Sequence, residues 1–199
     1  MSLSRLEKRI YSEQIGVQIS LVEIVELTNN GTLTSTNPGT LLNQFSNFSA
    51  SGGFVHPGIG HLFTGRNLDG NVVGIAYLRT LCSVRRGVGV DEIRGGGTSG
   101  SLLIAHELGH NFGAPHDGQG GSPCVDTPAG TFIMGPSLST ATQFSQCSID
   151  QMQPVINNAS CLTVIDGNQS PNVTITSPDD ATFFSTDTEI VFVGTASDP

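Results

Sequence analysis

The sequence predicts an α/β fold: a twisted mixed sheet, largely parallel in its first half, packed with helices and followed by an irregular C-terminal region and a trailing β segment. Three observations predict it. Strand-like and helix-like periodicities alternate over the first half of the chain, the pattern of strands joined by helical crossovers. The stretch from about Ser99 to Phe112 has the most regular helical spacing of the chain and stops at Gly113. Residues 113–165 then show little periodicity, and the composition changes again from Asp166.

Taken in order, residues 4–14 form a short charged segment with Leu6 and Ile10 on one helical face. A strand is expected over Ile15 to Leu27, where Ile15, Val17, Ile19 and Leu21 alternate with smaller or polar residues, and Asn29-Asn30-Gly31 ends it. Asn37-Pro38-Gly39 opens a second helix in which Leu41, Leu42, Phe45 and Phe48 recur at helical spacing. Short strands follow at His61 to Thr64 and Val72 to Leu78, around the turn Asp69-Gly70, and a further strand near Val88 to Ile93 runs into Gly95-Gly96-Gly97. The helix from Ser99 has Thr98 and Ser99 as N-cap candidates and Gly113 as its C′ residue. One short helix is expected near Ile149 to Ile156. Beyond it, Asn172 to Thr176 and Glu189 to Thr195 read as alternating strands around Ser177-Pro178-Asp179-Asp180.

The 199 residues suffice for one well-buried domain, residues 1–165, and a fragment of a second, residues 166–199, which reads as a linker and the incomplete start of an Ig-like β-sandwich repeat. No apolar run is long enough to span a bilayer. The 17 acidic residues against 8 basic ones, a net charge of −9, argue against nucleic-acid binding, which needs clustered Lys and Arg. The basic pair Arg85-Arg86 reads as a solvated loop. The four cysteines, Cys82, Cys124, Cys147 and Cys161, fit no CxxC pattern; they are two disulfides in an extracellular protein or four thiols in a cytosolic one. The segment Met1 to Lys8 has no apolar core of a signal peptide, so an address signal is expected upstream of this chain. No feature of the sequence sets an oligomeric state.

Residues 106–116 read His-Glu-Leu-Gly-His-Asn-Phe-Gly-Ala-Pro-His. His106 and His110 are four apart on a helix, so both imidazoles project from one face about a turn apart. Glu107 lies beside that face, placed to reach a water on the metal rather than the metal itself. Gly113 ends the helix and lets the chain reverse, which brings His116 back as a third ligand. Three protein ligands with an open fourth position are the catalytic rather than the structural arrangement for zinc. Glu107 is then the general base that takes the proton of the attacking water, and amide hydrolysis is the reaction that uses all these parts.

The pattern HExxHxxGxxH resembles the signature of the metzincin, zincin-like metallopeptidases. That resemblance implies a Met-turn, and Met134 in Ile133-Met134-Gly135, 18 residues after His116, matches it as an apolar floor beneath the histidines. More specifically the chain resembles the adamalysin (reprolysin) group, which includes snake-venom and disintegrin metalloproteinases. The matching residues include His110 to Asp117, His61 to Arg66, Gly74-Ile75-Ala76-Tyr77-Leu78, Leu81-Cys82-Ser83 and Phe144 to Ser148, over roughly residues 5–165. The resemblance implies disulfides Cys82–Cys161 and Cys124–Cys147 and a structural hydrogen-bonding role for Asp117. It also implies that Gly74, Ile75, Ala76 and Tyr77 form the cleft edge on which an extended peptide pairs. Pro136, in Gly135-Pro136-Ser137-Leu138, would help wall the primed-side pocket.

Three departures accompany the match. Family members begin with a strand and a longer helix before the segment matching Ile15 to Leu27, and only the tail of that helix has a counterpart here. Calcium is not expected where the family binds it, because His56-Pro57-Gly58 stands in place of an Asp. No disintegrin-like cysteine-rich region follows; the Ig-like ending and the Gly/Ser/Thr/Asn-rich acidic style have a bacterial character, which would make the Asn-x-Ser/Thr sequons incidental. The expected function is that of a secreted zinc endopeptidase acting on protein or peptide substrates, with one catalytic zinc. The alternatives are a catalytically silent binding or adhesion module, from which an intact Glu107 argues away, and a zinc amidase, which would need a closed pocket instead of an open edge.

Overall fold

The computed structural model describes residues 5–54, 56–93, 98–165, 172–177 and 193–197. The chain divides into two compact units, Met1–Leu162 and Thr163–Pro199. In the first, helices α1 (Arg5–Ile15) and α2 (Pro38–Ala50) precede strands β1 (Gly60–Thr64), β2 (Gly74–Ala76) and β3 (Val88–Glu92), and helices α3 (Thr98–Phe112) and α4 (Gln146–Asn157) follow. The sheet has the order β1-β3-β2: β1 runs parallel to β3, and β2 pairs antiparallel on the other side. It is therefore mixed, with β2 at an edge.

Two apolar clusters hold this unit together. On one side of the sheet Leu41, Leu42 and Phe45 of α2 pack on Val88 and Val90 of β3 and on Leu68, while Phe45 stacks on Phe54 at 5.2 Å. Asn37 caps α2 by accepting the Thr40 N–H, and Pro38 occupies the first turn, where a missing N–H costs nothing. The other cluster joins α1, α3 and α4 through Tyr11, Leu102, Ala105, Leu108, Phe112, Phe144 and Met152. Tyr11 satisfies its buried hydroxyl on Ala105 O at 2.8 Å, and Gln14 ties α1 to Thr142 O and the Phe144 N–H.

The strand expected over Ile15 to Leu27 does not form. Ile15 closes α1, Gly16 turns with φ 69°, and the Val17 N–H donates to Tyr11 O. Ile15 and Val17 are buried and Ile19 packs against the core, which accounts for the alternation in the sequence. No described strand pairs with residues 18–27. Without a ladder the alternation cannot continue, and Leu21, Val22, Ile24, Val25 and Leu27 are exposed, Val22 at 69 %. The strand expected over Val72 to Leu78 is only the three residues of β2. Helix α4 begins a turn earlier than its periodicity indicates because Ser145 caps it, and Pro154 sits inside it. Thr98 and Ser99, the expected cap candidates, lie in the first turn of α3, and residues 94–97 before them lie outside the described residues.

In the second unit β4 (Asn172–Ser177) and β5 (Val193–Ser197) form an antiparallel pair with a register irregularity at Ile175/Ser177. Most of the expected strand Glu189 to Thr195 lies outside the described residues.

Candidate metal centre

Helix α3 places His106 and His110 one turn apart, with ring centroids 4.8 Å from each other. At its end the Gly113 N–H donates to Gly109 O and His110 O, and the Ala114 N–H to Gly109 O. Gly113 takes φ 113°, and a Cβ there would come within 2.9 Å of Val155 Cγ2 and 3.1 Å of Gln151 O. Both the conformation and the space therefore demand glycine. The remaining carbonyls of the helix end are taken by a loop: Arg79 N–H donates to His110 O, and Thr80 and Leu81 N–H to Asn111 O. Arg79 and Cys82 hold positive φ in this loop, at 59° and 66°, and Cys82 is bonded to Cys161. The buried Asn111 amide donates to Tyr77 O, Thr80 Oγ1 and Val88 O, so α3 is fastened to the segment after β2.

The reversal at Gly113 returns His116 to the other two imidazoles. Each ring has an acceptor at Nδ1: Ile133 O for His106, Ala114 O for His110 and Gln119 Oε1 for His116, each at 2.8 Å. Carbonyl oxygens only accept, so the Nδ1 atoms carry the protons and the Nε2 atoms present lone pairs. Those lone pairs converge, with His116 Nε2 3.1 Å from both His106 Nε2 and His110 Nε2. Unprotonated nitrogens this close repel unless a cation lies among them. The ligand atoms all fall within 4.8 Å of one another, the one such group among the described residues. Three neutral imidazoles with an open position fit zinc. Burial lowers His106 to about 4 and His110 to about 3, so both are neutral at neutral pH, as metal ligands must be.

Glu107 is buried beside the cluster and its Oε2 has no hydrogen-bond partner. Burial, and next the nearby Asp91 carboxyl, raise its pKa well above the ordinary range. A buried carboxyl oxygen without a partner is uncommon in a folded protein and marks Glu107 as a functional group.

Met134 is fully buried under α3; a methyl group on Gly109 would meet its Sδ at 2.6 Å. The Asp117 N–H donates to Met134 O, while its carboxylate accepts from Ser145 (2.8 Å) and Ser148 (3.3 Å). Asp117 thus links His116, the Met134 turn and the cap of α4, across a region also closed by Cys124–Cys147. Gly74 lies against Glu107, and Ile75, Ala76 and Tyr77 are half-buried along the edge strand β2. Pro136 is exposed after the Met134 turn. His56, at the place of the family's calcium carboxylate, is buried and bonded to Ser49 Oγ at 3.1 Å. Gln119 was not apparent from the sequence as the orienting partner of His116, nor was Asp91, against which His61 lies, as a neighbour of Glu107. The acidic pair Asp91-Glu92 within the expected strand Val88 to Ile93 was the one available signal.

A family model for reprolysin-type metallo-peptidase family M12 matches residues 4–145. The chain belongs to this reprolysin family. It is 27 % identical over 162 residues to human disintegrin and metalloproteinase domain-containing protein 22, covering 79 % of this chain and 18 % of that protein. It is 37 % identical over 92 residues to the hemorrhagic metalloproteinase-disintegrin-like kaouthiagin of Naja kaouthia, covering 46 % of this chain and 22 % of the relative. It is 36 % identical over 104 residues to zinc metalloproteinase recombinant fibrinogenase II of Deinagkistrodon acutus, covering 49 % of this chain and 41 % of the relative. The chain thus spans between about a fifth and two fifths of the length of these curated relatives. Reprolysin membership implies zinc as the metal, and the donor set of His106, His110 and His116 is chemically suited to it.

Proposed function

We propose that residues 1–165 are the catalytic domain of a secreted zinc endopeptidase that cuts extended stretches of protein, and that residues 166–199 begin an Ig-like repeat. The observation that carries the reading is the convergence of three Nε2 lone pairs, two of them from the helix that also carries Glu107, whose buried Oε2 has no hydrogen-bond partner among the described residues. His106, His110 and His116 hold the metal. A zinc ion there supplies a Lewis acid for the scissile carbonyl and brings the pKa of a bound water to about 7. Glu107 accepts the proton of the attacking water and passes it to the leaving amine. Burial raises its pKa above the ordinary carboxylate range, which makes the ionised form a stronger base for that proton. Met134 supports the histidines from below, and Asp117 fixes the return of the chain after His116.

The substrate's course follows from the edge of the sheet. Strand β2 uses one side for β3 and leaves the other for an incoming strand, which would run antiparallel and pass over Glu107 at Gly74. Main-chain pairing makes little demand on substrate sequence, so side-chain preference falls to the wall that includes Pro136. Two disulfides support a secreted setting.

The test is metal content together with casein cleavage by the wild type and by Glu107→Ala. About one zinc per chain, with cleavage abolished by a chelator and by Glu107→Ala, is the expected result. Stoichiometric zinc without cleavage, from this chain and from a longer form of the protein, would sink the peptidase reading and leave a silent binding module.

A further inference from the structure

Between the sheet and α3 lies a buried acid with no part in the function proposed above. Asp91 of β3 is 2 % exposed, and His61 Nε2 of β1 lies 2.9 Å from its Oδ2. The contact lies off the line of a straight hydrogen bond, and neither Asp91 oxygen nor either His61 ring nitrogen has a hydrogen-bond partner among the described residues. Strand register puts the pair there. His61 is opposite Gly89 and Phe63 opposite Asp91 in the parallel pair, while Gly74 is opposite Asp91 and Ala76 opposite Gly89 in the antiparallel one. These positions share one face of the sheet, the face turned to Glu107.

Two glycines on that face make the room. A methyl group on Gly89 would meet His61 Cε1 at 2.8 Å. One on Gly74 would meet Glu107 Oε1 at 2.5 Å and Asp91 Oδ1 at 2.9 Å. The two carboxyl groups therefore stand around the same point, with the imidazole behind Asp91. Burying an acid between a sheet and a helix is unfavourable, and an apolar side chain would serve packing alone at least as well.

We infer that Asp91, held from behind by His61, is a positioning residue for Glu107, with Asp91 Oδ1 accepting a hydrogen bond from the protonated Glu107 carboxyl during turnover. The inference rests on the reading of Glu107 as the base. The proton leaves the attacking water, bonds to a Glu107 carboxyl oxygen, is held against Asp91 Oδ1, and is then given to the amine nitrogen. No proton is gained or lost. Asp91 thereby fixes the direction in which Glu107 carries its proton.

The test compares Asp91→Asn, His61→Gln and His61→Leu with the wild type for bound zinc, kcat and KM on a peptide substrate. Asp91→Asn is expected to keep the zinc and the KM and to lose about ten- to a hundredfold in kcat, the scale of a misdirected catalytic group. His61→Gln keeps a polar N–H group beside Asp91 and should keep most of kcat, whereas His61→Leu should fall with Asp91→Asn. In a Glu107→Gln background, Asp91→Asn should change the residual cleavage no further. Wild-type kcat in Asp91→Asn overturns the inference. So does a loss of kcat in His61→Gln as large as in His61→Leu, or an equal loss from Asp91→Asn in the Glu107→Gln background, since either marks a merely structural pair. A wild type whose cleavage ignores Glu107→Gln overturns the peptidase reading itself, and the inference with it.

Discussion

The two faces of the three-stranded sheet are built for different ends. Against α2 the sheet presents Val88, Val90, Leu62 and Ile75, and Leu41, Leu42 and Phe45 close on them in an apolar cluster, at whose end the buried Glu92 accepts the Leu68 N–H. Against α3 it presents His61, Asp91 and two glycines, and meets Glu107. Apolar burial on the first face stabilises; the second takes on desolvated acids and bare backbone to keep a carboxyl in place. The difference teaches that the α2 face carries the fold and the α3 face carries the chemistry, so damage to each should appear in a different measurement.

The sharpest contrast sets Glu107→Gln against Leu41→Ala. Glu107→Gln should lower kcat/KM by about 10²–10⁴, the usual worth of a general base. It should also raise the melting temperature of the metal-free protein at neutral pH. A group whose folded pKa is raised opposes folding once the pH passes its unfolded value, and Gln cannot ionise. Leu41 is buried against the sheet, and Leu41→Ala should cost about 2–5 kcal/mol while leaving cleavage per folded molecule unchanged. Chemical denaturation and cleavage assays on the two variants check both halves, and a fall in stability for Glu107→Gln would break the contrast.

Gly74→Ala tests the α3 face with one methyl group. Its carbon would press first on Glu107 Oε1 and Asp91 Oδ1. Zinc content should be unchanged, and kcat/KM should fall by roughly ten- to a hundredfold, as for a displaced catalytic group. Loss of zinc in this variant would show that the glycine serves the metal centre as a whole.

What could be read from the sequence follows the range of the interactions. The positions of His106, Glu107, His110 and Gly113 follow from helical geometry within a few residues, and α3 forms where the spacing put it. The disulfide pairs and the Met134 turn could be assigned only through the family resemblance, since nothing local says which cysteine meets which. Strand β3 was legible as Val88 to Ile93, but its partners were not, and with them went His61–Asp91, which exists only through register. The segment 16–27 misled for a related reason. Its alternation reports Val17 and Ile19 packing on the core, whereas a strand also needs a neighbour to take its N–H and C=O groups.

Acid should destabilise the metal-free protein from the α3 side. His106 and His110 titrate at about 4 and about 3 in the fold against 6.5 unperturbed. Between those values the unfolded chain binds more protons than the folded one, so stability falls as the pH drops from about 6.5 towards 4. The melting temperature of chelator-treated protein across that range checks this. The slope should flatten in His110→Gln, and a flat profile in the wild type would mean that the imidazoles are not desolvated without metal.

The smallest effect is expected where the two kinds of construction meet. Met134 is as buried as any residue of the α2 face, yet it lies beneath the histidine helix, with Gly109 drawn down onto its sulfur. If its part is to fill space, Met134→Leu, a swap of nearly equal volume, should cost less than about 1.5 kcal/mol and leave zinc affinity and kcat/KM within a few-fold. The cost that does appear comes from branching, since a Leu side chain cannot follow the unbranched course of the thioether packed against Gly109. Thermal melts and zinc titration of the variant measure both quantities. A large loss of kcat with the stability intact would instead assign the sulfur a part in the chemistry and move Met134 from the first kind of construction to the second.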